Sequence, residues 1–172
     1  MVEAPKKAAV AAVLTPSLHA PSLDILFIRR AEHPNDPWSG HMAFPGGRHE
    51  PGDASLLATA MRETREELGL DLAGAHLLGR LDDLATHRAG LMVRPFVFAI
   101  DRPPPLRGNY EVAETLWAPV LPLMQGERNA EYPYLHEGQQ LRFPAYDVEG
   151  RIVWGLTYRM LQSLFAMLAK AD

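Results

Sequence analysis

The chain has 172 residues, 47% of them hydrophobic and 22% charged, with a formal net charge of −4 and no cysteine. That length suits a single domain, taken here as 1–172, with enough buried surface for a core. The acidic balance and the absence of a basic stripe argue against an extended nucleic-acid partner, and the missing thiols exclude disulfides, thiolate zinc sites and cysteine nucleophiles.

In chain order, residues 8–14 read as a strand. Its apolar part, 10–14, is too short to cross a bilayer and lacks a secretory h-region, so no membrane association and a cytoplasmic location are expected. Residues 23–30 (LDILFIRR) form a continuous apolar run, the mark of a central strand. A polar loop over 31–40 leads to a short strand at 41–44, which ends at the turn signal Pro45-Gly46-Gly47. Residues 54–68 have helical spacing, with Leu57, Met61, Thr64 and Leu68 as the inward stripe and Leu56 and Ala60 beside it. Asp53 stands at an N-cap position and Gly69 at C′.

Strands are predicted at 77–81 and 91–100, and Pro95 places the second at a sheet edge or on a bulge. A Pro/Arg-rich loop over 101–109 precedes a strand at 112–117 and a short helical turn at 119–124. Short strands at 132–135, 140–143 and 151–153 and a helix over 156–169 complete the chain. This order predicts an α/β (α+β) fold, a mixed β-sheet between a mid-chain and a C-terminal helix.

The mid-chain helix carries the chemistry-bearing run Arg62-Glu63-Thr64-Arg65-Glu66-Glu67-Leu68-Gly69. Glu63 and Glu67, four apart, stack on one face, with Glu66 alongside Glu63. All three are expected to project away from the apolar stripe. Three clustered carboxylates repel one another, and an all-oxygen cluster suits a hard cation that keeps waters and shares substrate phosphates. The alternative is a solvated face whose glutamates are neutralised by Arg62 and Arg65. Gly46-Gly47 favours the first reading, because glycine carbonyls there can face the cluster.

Together these residues resemble the box of the Nudix hydrolases: Gly, five residues, Glu, seven residues, then Arg-Glu-apolar-x-Glu-Glu-x-Gly-apolar. Gly47 opens it; Arg62-Glu63, Glu66-Glu67, Gly69 and Leu70 close it. The chain departs from the pattern in three ways. Asp53 replaces the first Glu, eight residues rather than seven separate it from Arg62, and Thr64 occupies an apolar position. The resemblance implies a Nudix-type α/β/α sandwich. It implies Mg²⁺ or Mn²⁺ on Glu63, Glu66 and Glu67, with the Gly47 carbonyl as a further ligand. It also implies that Arg62 holds the glutamates by a salt bridge and that water attacks phosphorus with metal assistance. Glu66, Glu67 and Arg62 then form the catalytic set. A later acidic residue is the candidate general base, with Glu111 preferred to Glu114; both also suit an outward-facing acid of a strand.

Residues 25–30, 39–47 (SGHMAFPGG) and 152–158 (IVWGLTY) resemble the coenzyme A pyrophosphatase branch of that family. This implies coenzyme A or an acyl-CoA as the small-molecule diphosphate substrate. Asp36 stands where the branch has a basic residue. Arg29, Arg30 and Arg48 are phosphate candidates, since guanidinium binds phosphate oxygens in pairs, and Trp38 is a candidate for stacking on a base. The seven histidines lack zinc-site spacing, although His49 and the pair His87-Arg88 could approach the site. Two other readings stand beside this one: a clean-up hydrolase of nucleoside triphosphates, ADP-ribose or dinucleotides, and a Nudix-fold binding module without catalysis. The intact Glu63/Glu66/Glu67 set speaks against the last. The resemblance also allows a homodimer.

Overall fold

Residues 5–36, 39–86 and 90–170 are described by the computed structural model of the chain. The strands are β1 (Lys6–Pro16), β2 (Leu23–Arg30), β3 (Met42–Ala43), β4 (Gly46–Arg48), β5 (His76–Arg80), β6 (Leu84–Ala85), β7 (Leu91–Ala99), β8 (Val112–Pro119), β9 (Asn129–His136), β10 (Gln139–Val148) and β11 (Arg151–Trp154). The helices are α1 (Leu56–Leu68), α2 (Val120–Met124) and α3 (Gly155–Ala169), with a single 3-10 turn at Leu72–Gly74. The expected mixed sheet flanked by helices is present, and no described helix is long and apolar enough to cross a membrane.

β1 organises the main sheet. Along one edge it runs parallel to β7, from Lys6 opposite Leu91 to Leu14 opposite Ala99. Along the other it changes partner, pairing with β4 near its start (Ala9 opposite Gly47) and with β2 near its end (Leu14 opposite Ile25). Beyond that point β2 continues away from β1 and pairs with β3, while β8 pairs with β2 from Asp24 to Arg30. The segment 42–48 therefore bridges a fork between β1 and β2, and α1 lies over that region.

Alternation along β1 feeds two cores. Ala9, Ala11 and Val13 pack with Ala60 and Leu68 of α1. Ala8, Ala12 and Leu14 face Met160, Leu161 and Leu164 of α3 and Tyr146 and Val153 of β10 and β11. Burial on both faces explains why β1 and β2 read as unbroken apolar runs.

Four expectations are corrected. Gly46 and Gly47 form a strand rather than a turn, because β1 approaches so closely that a Cβ on Gly46 would lie 2.3 Å from the Ala9 carbonyl oxygen. β7 lies inside the sheet, between β1 and β5, rather than at an edge. Its Pro95 is tolerated where β5 ends: Leu81 donates to the Pro95 carbonyl at 2.9 Å, so the missing N–H faces that strand end and costs no bond to β1. The irregularity sits instead in β5, between Leu77 and Gly79. Finally, the short strands expected near the C-terminus are parts of a longer three-stranded antiparallel sheet, β9-β10-β11, with eight pairs between β9 and β10.

Candidate active site

Ser55, not Asp53, caps α1: its hydroxyl accepts the Ala58 N–H at 3.1 Å. This leaves Asp53 for another purpose. Its side chain is 5% exposed and takes two bonds from Arg62, Nε at 2.7 Å and Nη2 at 3.0 Å. Glu50 N–H and the Thr59 hydroxyl donate to it as well, both at 2.9 Å. The Arg62 hydrogen bonds hold the Asp53 carboxyl far below the usual carboxylate range, and Asp53 in turn raises the Arg62 pKa. The rest of the Arg62 fork reaches Glu63 at 2.9 Å, Glu66 at 3.2 Å and the Arg48 carbonyl at 3.1 Å. Arg62 thus ties the loop before α1 to two of the box glutamates.

The three glutamates do not share one environment, and the expected outward projection fails for one of them. Glu66 is 56% exposed in its side chain, and Glu63 only 14%. Glu67 is 2% exposed, on the inward face with Ala60, Thr64 and Leu68. Leu57 and Met61, expected in the stripe, are only partly buried. Glu67 points into the fork region, where its Oε1 accepts the Gly46 N–H at 2.8 Å. Burial, only partly offset by that bond, pushes the Glu67 carboxyl up to about 8; Glu63 and Glu111 add to the rise. Burial also raises Glu63, against the pull of Arg62, with Glu66 and Glu111 contributing. The Glu63 carboxyl rests directly on Gly47, where an added Cβ would lie 2.5 Å from its Cδ.

The carbonyls at the end of α1 receive the following loop: Leu68 accepts from Arg107 N–H at 3.0 Å and Glu67 from Asn109 N–H at 2.8 Å. The Asn109 side chain then accepts Glu111 N–H at 2.9 Å, and the Glu111 carbonyl accepts Ala31 N–H at 2.9 Å. This anchorage brings Glu111 beside the box, where its charge acts on Glu63, Glu67 and Tyr110. Glu114 lies elsewhere, held by Arg151 (Nη2 at 3.0 Å, and Nε) and by Arg29 at 3.4 Å. Of the two later acids, Glu111 is the one at the box.

The phosphate candidates divide in the same way. Arg30 stands near enough to lower Glu67 and is bound by Asp36, Nε at 2.9 Å and Nη2 at 2.8 Å. Arg29 is paired with Glu114. Arg48 is exposed and makes no ion pair among the described residues. Trp38, His87 and Arg88 lie outside the described residues. His49 joins the Asp53 network, with Nδ1 2.8 Å from the Thr59 hydroxyl. Sequence reading missed Asp53 as the Arg62 partner, Thr59 beneath it, and His41. The last packs edge-on against Trp154 with centroids 5.5 Å apart, so that the segments 39–47 and 152–158 meet.

The donor set fits a hard divalent cation. The side chains at the box that could ligate a metal are carboxylates, and Glu67 is buried with one neutral donor and no ion pair among the described residues. A buried carboxylate of that kind must either hold a proton or face an external cation. The described side chains do not already close as three ligands around one point. Glu63 and Glu66, held by Arg62, would have to reorient toward an arriving ion.

A family model described as the NUDIX domain matches residues 5–130. The chain is 34% identical over 157 residues to the uncharacterized Nudix hydrolase NudL of Yersinia pestis (strain Pestoides F), covering 90% of this chain and 77% of that protein. NudL of Yersinia pseudotuberculosis serotype O:1b (strain IP 31758) matches equally. Among solved structures, the Nudix hydrolase RenU from M. smegmatis has a TM-score of 0.67 at 15% identity, covering 99% of this chain and 90% of that one. A C. elegans Ap4A hydrolase binary complex has a TM-score of 0.63 at 17% identity, covering 96% and 98%. At those identities the structural likeness speaks for the fold.

Proposed function

This chain belongs to the Nudix hydrolase family, whose members act on diphosphate bonds, and on that premise we propose that it cleaves the diphosphate of coenzyme A or an acyl-CoA. The observation that carries the hydrolase reading is the convergence of Glu67 on Gly46, Glu63 on Gly47, and Glu111 on both glutamates. Mg²⁺ or Mn²⁺ held by Glu63, Glu66, Glu67 and the Gly47 carbonyl would neutralise phosphate charge and make a bound water acidic. Arg62, locked by Asp53, tethers Glu63 and Glu66 beside the site. Glu111 is the proposed base: it takes a proton from water as the oxygen attacks phosphorus and the bridging P–O bond breaks. Arg30 and Arg48 are the proposed contacts for phosphate oxygens, and Trp38 keeps its proposed stacking role. The products are two phosphomonoesters, adenosine 3′,5′-bisphosphate and phosphopantetheine or its acyl form.

The choice of coenzyme A is supported by the His41–Trp154 contact, which joins the two segments that resemble the coenzyme A branch. The second reading, hydrolysis of nucleoside triphosphates, ADP-ribose or dinucleotides, is favoured by Asp36. An acid engaged with Arg30 stands where that branch carries a cation. A panel of CoA, ADP-ribose, NADH, dinucleoside polyphosphates and dNTPs with Mg²⁺ or Mn²⁺ separates them by product chromatography. The expected result is highest kcat/KM with CoA, and loss of turnover in Glu67→Gln. Turnover of a nucleotide with CoA untouched would reject the coenzyme A choice. No turnover of any member would leave a non-catalytic module.

A further inference from the structure

Tyr110 is the most exposed of the large apolar side chains among the described residues, at 86%. Its position is nevertheless fixed. The backbone on either side is tied down by Asn109 N–H to Glu67, Glu111 N–H to the Asn109 side chain, Val112 N–H to Asn109 and Ala31 N–H to the Glu111 carbonyl. A ring left in water on a pinned turn is unlike one on a loose loop tip, because the backbone that carries it is set before any ligand arrives. That location is the rim of the carboxylate cluster, where the Tyr110 hydroxyl engages the Glu111 carboxylate and the charges of Glu66 and Glu63 reach it. Among the described residues, the aromatic surface beside His41 is already engaged with itself. Tyr132 and Trp154 stack at 4.0 Å and 8°, with Phe143 and Tyr134 against them.

In addition to the role given to Trp38, we propose that Tyr110 is a specificity-determining platform on which the base of a nucleotide diphosphate stacks while its phosphates lie over the box glutamates. The proposal rests on the hydrolase reading for the reaction, but it concerns the base-bearing half of the substrate. Every nucleobase offers a π-face, so one rigid, uncovered ring selects base-bearing diphosphates without choosing among bases.

Binding of ADP and of inorganic pyrophosphate, each with Mg²⁺, tests this by calorimetry on wild type, Tyr110→Ala, Tyr110→Phe and Tyr110→Trp. Stacking predicts that Tyr110→Ala weakens ADP about tenfold and pyrophosphate less than twofold, with Phe and Trp retaining wild-type preference. The KM for the best substrate of the panel should rise about tenfold in Tyr110→Ala and stay within about twofold of wild type in Tyr110→Phe. Three outcomes overturn the proposal: no ADP preference in wild type; equal effects of Tyr110→Ala on both ligands; or Tyr110→Phe behaving as Ala, which would assign the effect to the hydroxyl acting on Glu111. Failure of wild type to hydrolyse any diphosphate rejects the hydrolase reading instead, and leaves the binding comparison intact.

Discussion

Asp53 lies one residue farther from Arg62 than the Nudix pattern places its glutamate, and its side chain is one methylene shorter. The longer loop and the shorter arm compensate, because both Asp53 oxygens reach the guanidinium. Asp53→Asn should cost roughly 2–3 kcal/mol, since it leaves a largely buried arginine with one charged partner fewer. The sign with pH follows from the depressed carboxyl. Its stabilisation is present above the ordinary aspartate range and is lost as pH falls toward the folded value. Urea midpoints of wild type and Asp53→Asn should therefore converge below about pH 4; a constant gap down to pH 2 would refute the pairing. Gly47→Ala separates folding from chemistry. The added Cβ meets only the end of Glu63, so the fold should lose about 1 kcal/mol or less. Displacing that carboxylate should nonetheless lower kcat/KM on the order of 10²-fold. Arg62, Glu63, Glu66 and Glu67 were legible because helical spacing is rigid. Their unequal burial was not. Thr59, Thr64 and Glu67 face inward with local partners (Asp53, the Ala60 carbonyl and Gly46 N–H), so the inward face carries little hydrophobic signal.

At the scale of elements, the strands and helices with strong periodicity were legible, and those made by turn chemistry were not. β9, β10 and β11 are joined by the two-residue connections Glu137-Gly138 and Glu149-Gly150, with φ of 49° and 78° in the first and 52° and 83° in the second. Two successive positive φ values define the hairpin turn that matches strand twist. Glutamate is a poor residue for the first position, so the Glu-Gly pairs give a weak turn signal and the strands beside them read short. The same mismatch yields a prediction. Glu137→Asn should raise stability by about 0.5–1 kcal/mol and Gly138→Ala should lower it by about 1–2 kcal/mol, because a Cβ on Gly138 meets nothing within 4 Å and Glu137 is exposed, with only a solvated contact to His136 at 3.9 Å. Thermal scans check both, at roughly 2–4 °C per kcal/mol for a chain of this length. If Glu137→Asn gained nothing, the left-handed geometry assigned to that turn would be wrong.

Across the whole molecule, the three-stranded sheet is joined to the main sheet partly through Arg151, Glu114 and Arg29, and the box lies where β1 and β2 diverge under α1. That arrangement buries an ionisable group in the unliganded protein, and its consequence is global. A Glu67 carboxyl raised to about 8 from its ordinary value of 4.5 favours the folded state fully below pH 4.5. That contribution is lost as pH rises through 8, because the unfolded chain ionises first. The metal-free protein should therefore lose stability between about pH 5 and 8, and Glu67→Gln should remove much of that slope while abolishing turnover. A divalent cation acts in the opposite sense. It binds the folded state and requires the deprotonated carboxylate, so its stabilisation grows over the same interval. The midpoint shift produced by Mg²⁺ in thermal scans should be small at pH 5.5, larger at pH 8.5, and much reduced at both in Glu67→Gln. A shift that is independent of pH and survives Glu67→Gln would place the ion away from the fork. In that case Glu67 would be a structural acid that simply keeps its proton.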